Sequence, residues 1–171
     1  MRLTAADASF LYVESVNGPM HIGSVVTIDG ELDFDIVLRH FADRIHLVPA
    51  YRRKLAQAPM NIAHPEWVDD PEFDIANHIH HVQLPEGSSE TDALDEAIHL
   101  NEPLLDRAIP LWHVWVLTGV AGKTFLLQAT HHSMIDGASG VDLMTIIFDF
   151  SPEGREVEPP DELWTPEEPS I

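Results

Sequence analysis

Leu111-Trp-His-Val-Trp-Val-Leu117, Thr118-Gly-Val-Ala-Gly-Lys123, Thr124-Phe-Leu-Leu-Gln-Ala-Thr130 and His131-His-Ser-Met-Ile-Asp-Gly137 are the 27 consecutive residues that decide how this chain folds. The first and third runs carry the β-branched and aromatic side chains of buried strands, and the two glycines between them predict an antiparallel hairpin. The second strand ends on a pair of histidines. Beyond Gly137, the apolar positions Val141, Met144, Ile147 and Phe148 predict a helix over residues 138–150 with one inward face.

Working toward the N-terminus, Ser89 caps a predicted helix that carries Leu94, Ala97 and Ile98 and is ended by Pro103. Residues 51–85 mix short β-like pieces with turns. Asp33 opens an amphipathic helix whose apolar positions, Phe34, Val37, Leu38, Phe41 and Ile45, keep helical spacing until Pro49. Residues 20–28 read as a buried strand closed by Asp29-Gly30. Thr4, with Asp7 three residues later, caps a short first helix that contains Phe10, Leu11 and Val13. Helices interleaved with strands, one pair of them a hairpin, predict an α/β fold: a mixed-sheet two-layer sandwich rather than a doubly wound parallel sheet. Residues 1–151 form that unit. Residues 152–171 hold five prolines and seven acidic residues against a single arginine, the composition of a solvated connecting segment.

Chemistry concentrates at His131–Gly137. With 11 histidines and 9 glycines in 171 residues, the spacing His-His-x-x-x-Asp-Gly arises by chance on the order of 0.003 times per chain of this composition. It lies where a strand stops and a helix is about to start, a common place for catalytic side chains. Adjacent histidines on an extended segment point opposite ways, so one can enter a cavity while the other packs behind it. A neutral imidazole suits a general base acting on a hydroxyl. Asp136 can orient an imidazole or pin the turn, and Gly137 suits a tight entry into the helix. Ser133 lacks the Gly-x-Ser-x-Gly elbow of a serine nucleophile. On the residues alone, general base and structural pair are equally good readings.

Two other motifs fare worse. Gly122-Lys123-Thr124 lacks the glycine that a phosphate loop needs five positions earlier, where Leu117 stands. His78 and His80 would share one face of a strand and could ligate a metal, with His99 or His113 as a third ligand, but no sequential motif supplies one, and metal: none is the expectation.

Composition narrows the classes further. Nine Lys+Arg against 29 Asp+Glu give a net charge of −20, which repels phosphate backbones, so no nucleic-acid partner is expected. The absence of cysteine removes disulfides, thiolate nucleophiles and cysteine-type zinc sites. No apolar run approaches the roughly 20 residues of a membrane helix. No signal-peptide core is present, so the expected location is cytoplasmic, with peripheral contact to a membrane or lipid inclusion left open.

His131–Gly137 matches the His-His-x-x-x-Asp-Gly motif of the CoA-dependent acyltransferase superfamily, which includes chloramphenicol acetyltransferase-like enzymes and peptide-synthetase condensation domains. Asp7–Ser15, Pro19–Gly23, Trp67–Asp74, Pro103–Trp112 and the stretch around Trp164-Thr-Pro166 resemble the bacterial wax ester synthase/diacylglycerol acyltransferase family within it. The resemblance implies a chloramphenicol acetyltransferase-like lobe and transfer of a long acyl chain from acyl-CoA, as substrate and with no cofactor, to diacylglycerol or a long-chain alcohol. It implies that His132 is the general base, that His131, Asp136 and Gly137 support the motif, and that Pro110-Leu111-Trp112 is a scaffold element of the sheet. Family members are two-lobed, with a tunnel between the lobes, so a C-terminal lobe is the expected partner and residues 152–171 the inter-lobe linker. Alternatives are another acyltransferase of the superfamily and a non-catalytic acyl-lipid-binding module. The resemblance assigns no substrate-binding residues.

Overall fold

In a computed structural model, residues 2–57, 63–135, 148–149, 154–160 and 164–167 are described. Thr4 accepts the Asp7 backbone N–H and starts α1 (Ala5–Val13). Strand β1 (His21–Asp29) follows, and Asp33 then caps α2 (Phe34–Ala42) by accepting the N–H groups of Asp35 and Ile36. Short 3₁₀ turns lead to β2 (Arg53–Ala56) and β3 (Glu66–Asp69), a separate antiparallel pair, and to β4 (Ile79–Gln83). Ser89 and Asp92 form a reciprocal capping box at the start of α3 (Glu90–Leu100). The predicted hairpin is β5 (Trp112–Val120) and β6 (Lys123–His131).

Among the described residues four strands make the central sheet, in the order β1-β6-β5-β4. β1 and β5 run antiparallel to β6, and β4 is parallel to β5, so the sheet is mixed as expected. Side chains alternate across it. Trp112, Val114, Val116 and Leu126 meet Val37 and Phe41 of α2 on one face. Leu117, Phe125 and Leu127 meet Ala93 and Ala97 of α3 on the other, where Ala129 also packs with Ala8 and Leu11 of α1. Helix residues therefore pack against both faces of the mixed α/β sheet that the sequence predicted.

Four local expectations need correction. Residues 20–28 are not a buried strand: β1 is the last strand on its side among the described residues, and Ile22 and Val25 are exposed. On α3 the inward positions are Ala93 and Ala97, whose small side chains let the helix lie close to the sheet, while Leu94 and Ile98 face out. α2 ends at Ala42, and Ile45 reaches the same core from a 3₁₀ turn instead. The hairpin strands run to Val120 and from Lys123, so only two residues turn the chain and the irregularity sits inside β5, between Leu117 and Val120.

The C-terminal segment, expected to be solvated, is mostly exposed where it is described and touches the body at a few points. The Arg52 guanidinium stands 4.5 Å over the Trp164 ring, Phe73 meets that ring edge-on at 6.4 Å, and Asp69 accepts the Glu167 N–H at 3.1 Å. The tryptophan supplies the apolar surface and π-face that composition alone did not weigh. The helix predicted over 138–150, with Asp136 and Gly137 ahead of it, lies outside the described residues except for Phe148, which packs on the α2-side core, and Asp149, which accepts from Arg44 at 3.2 Å.

Candidate active site

β6 carries the motif to the rim of the sheet, and the next three residues, His132–Met134, form a 3₁₀ turn. His131 caps that turn with its side chain. Its Nδ1 accepts the Ser133 backbone N–H at 3.0 Å and lies 2.6 Å from Ser133 Oγ. An Nδ1 that accepts the N–H carries no proton, so the Ser133 hydroxyl donates to it as well. Both residues are buried, and Ser133 spends its hydroxyl on support.

The two histidines diverge as the extended backbone requires. His131 is fully enclosed, whereas His132 is half-buried with its ring stacked on Phe10, centroids 4.8 Å apart at 15°. The His132 N–H donates to the Met20 carbonyl at 2.8 Å. Among the described residues no group hydrogen-bonds the His132 ring nitrogens, and the imidazole is held by its backbone and one face.

Behind the pair lies a charged group that sequence reasoning missed. Glu14, at the end of α1, has its side chain only 2% exposed. Its Oε1 accepts the Met20 N–H at 3.0 Å and lies 3.2 Å from His131 Nε2, off the line of an ideal hydrogen bond. Its Oε2 accepts from Arg107 Nη2 at 2.8 Å, and the same nitrogen donates to the Leu11 carbonyl at 2.7 Å. Burial alone would raise the Glu14 carboxyl, but Arg107, the Met20 N–H and His131 together hold it below the usual range. Burial lowers the His131 imidazole against the pull of Glu14, with Arg107 and His21 adding to the depression. The missed signal was helical spacing: Ala8, Leu11 and Glu14 recur every third residue on the inward face.

The histidines weighed as metal ligands gather on the sheet but are spent on one another. His78 is buried, stacks on Trp112 at 4.6 Å and donates from Nδ1 to the Trp112 carbonyl at 2.8 Å. His80 Nε2 and His113 Nδ1 share a hydrogen bond of 2.9 Å. Burial lowers all three, and the neighbouring His78 and His80 help push His113 down to about 4. His99 stands apart, near Glu102. Among the described residues no group of three or more His, Asp or Glu is placed to hold a metal. Gly122 and Lys123 serve the hairpin, with Lys123 2.9 Å from Glu90.

A mixed sheet with helices on both faces and a histidine pair leaving a strand end define the CoA-dependent acyltransferase fold. The first condensation domain of the calcium-dependent antibiotic synthetase shares it, with a TM-score of 0.67 at 18% identity over 86% of this chain and 36% of that one. The chain belongs to the wax ester synthase/diacylglycerol acyltransferase family, whose catalytic domain it matches over residues 3–170. The solved wax ester synthase/diacylglycerol acyltransferase of Marinobacter aquaeolei VT8 superposes with a TM-score of 0.67 at 25% identity, over 81% of this chain and 36% of that one. Two Mycobacterium tuberculosis relatives are named "Probable diacyglycerol O-acyltransferase" tgs1 and tgs3. The first is 34% identical over 87% of this chain and 33% of its own length, the second 28% identical over 97% and 62%. The chain thus spans about a third of the length of most of the relatives described here.

Proposed function

We propose that this chain is the base-bearing half of an acyl-CoA-dependent O-acyltransferase that makes triacylglycerol or wax ester. The observation that carries the reading is His132, backbone-anchored and stacked on Phe10 with both ring nitrogens free of partners among the described residues. The family and the names of its relatives supply the chemistry: a long-chain acyl-CoA as donor, and diacylglycerol or a fatty alcohol as acceptor. The His132 imidazole takes the acceptor's hydroxyl proton as the hydroxyl oxygen attacks the thioester carbonyl. The tetrahedral intermediate collapses, the C–S bond breaks, and the CoA sulfur leaves with the proton returned by the imidazolium. No acyl-enzyme and no cofactor enter this route.

In this reading a C-terminal lobe closes the second wall of the site, since such sites lie at domain interfaces where water is excluded. Residues 152–171 make the connection, and Asp136 and Gly137 hold the motif. The enzyme's expected location stays cytoplasmic, with contact to the surface of a membrane or lipid inclusion, where apolar substrates collect. No helix among the described residues is long and apolar enough to cross a membrane.

The test is CoA release by the complete two-lobed protein, with diacylglycerol, a long-chain alcohol and an amine as parallel acceptors. His132→Ala should lower turnover by at least the roughly 10²–10⁴-fold that a positioned base contributes, with circular dichroism unchanged. Activity within about tenfold of wild type would remove His132 from the chemistry. Acyl-CoA binding without turnover would instead make the chain an acyl-lipid-binding module.

A further inference from the structure

We propose that Glu14, buttressed by Arg107, is a positioning residue that aims His132 by fixing the protonation site of the His131 ring and the peptide group of Met20. The proposal rests on the functional reading above for its kinetic arm only. Its basis is how one buried carboxylate is used. Through Oε1 it faces His131 Nε2 at 3.2 Å and accepts the Met20 N–H at 3.0 Å. Each partner then grips the active-site turn from a different side. His131 Nδ1 receives the Ser133 N–H, and the Met20 carbonyl receives the His132 N–H at 2.8 Å. Two routes therefore lead from Glu14 to the backbone on either side of the His132 ring.

The protonation state follows from the donors. A neutral imidazole has one N–H, and here Nδ1 faces two donors from Ser133. The proton belongs on Nε2, which stands 3.2 Å from the Glu14 carboxylate without an aligned hydrogen bond to it. Protonating Nδ1 would set an N–H against the Ser133 N–H and open the cap. Arg107 is what makes an acidic neighbour tolerable: without it, the Glu14 charge would draw a second proton onto His131. The charged and titratable groups facing His131 are Glu14 from α1, Arg107 from the segment before β5, and His21 from β1, directly across in the register. Burying the Glu14 carboxylate costs desolvation that the part-exposed Arg107 only partly offsets, so packing alone gives no reason for a charge here.

The test combines spectroscopy and kinetics. Nitrogen-15 NMR of the full chain, with His131 assigned by substitution, should show Nε2 protonated and Nδ1 bare from pH 5.5 to 8. A protonated Nδ1 at neutral pH would overturn the proposal whatever the enzyme does. In the complete two-lobed protein, Glu14→Ala should lower kcat by about 10–100-fold, the scale expected for a misplaced catalytic group, with KM changed less than about threefold. The double variant Glu14→Ala/His131→Ala should fall no further than the worse single variant, whereas additive losses would show that the two act separately. Arg107→Ala should move the acid limb of the kcat profile to higher pH, and Arg107→Lys should restore it. If Glu14→Ala does not fold, an unmoved limb in Arg107→Ala refutes the proposal by itself. A wild-type protein that transfers no acyl group sinks the functional reading instead and leaves the NMR to decide this one.

Discussion

Ser133→Ala separates a supporting hydroxyl from a nucleophilic one. Ser133 is 3% exposed and its hydroxyl lies 2.6 Å from His131 Nδ1. Removing Oγ deletes one of two donors to that nitrogen, and the Ser133 backbone N–H at 3.0 Å remains. No buried acceptor is left without a partner, so the cost is that of one neutral hydrogen bond, about 1 kcal/mol. For a domain of this size that lowers the melting temperature by about 2–4 °C. The turn that presents His132 persists through its backbone bonds, so kcat for acyl transfer should stay within about tenfold. The assay is CoA release from acyl-CoA by the complete protein, run beside thermal unfolding of the same preparations. A loss of three orders of magnitude with an unchanged melting temperature, or trapping of an acyl group on Ser133 of the wild type, would refute the supporting role and the direct attack together.

Stability should fall on mild acidification. His78, His80 and His113 have folded pKa values below their ordinary 6.5, with His113 near 4. Between these limits the unfolded chain binds more protons than the folded one, so stability drops as pH falls from 6.5 toward 4, by on the order of 1–3 kcal/mol in all. Urea unfolding across that window checks the sign, and a flat profile would contradict the buried neutral cluster. Trp164→Ala should release the C-terminal segment at a cost of about 0.5–1 kcal/mol, the scale of an exposed cation–π contact. Limited proteolysis should then cut within residues 154–167 sooner than in wild type while the core survives; identical cleavage rates would mean that the contact carries nothing.

Local chemistry made much of this fold legible. Thr4, Asp33 and Ser89 are helix caps both by type and by the hydrogen bonds they accept, and the two runs around Gly119 and Gly122 are the hairpin they resemble. What failed depended on neighbours distant in the chain. Apolar content alone made β1 look buried, but burial is set by position in the sheet, and β1 borders it. Of the three apolar residues read on α3, Ala97 faces the sheet beside Ala93, whereas Leu94 and Ile98 face out because the helix lies close. At the site, the histidine pair is written in the motif and its divergence follows from strand geometry. Glu14 and Arg107 stand 93 residues apart, and no local pattern announces that they meet behind it.

Met20 contributes to the site through its main chain alone: the N–H is claimed by Glu14 and the carbonyl by His132. Its side chain, half-buried, makes no part of that clamp. The position is therefore constrained in backbone and unconstrained in identity, with one exception, since proline has no N–H to give. Residue 20 is thus a position where the side chain can change while the frame that holds His132 stays fixed.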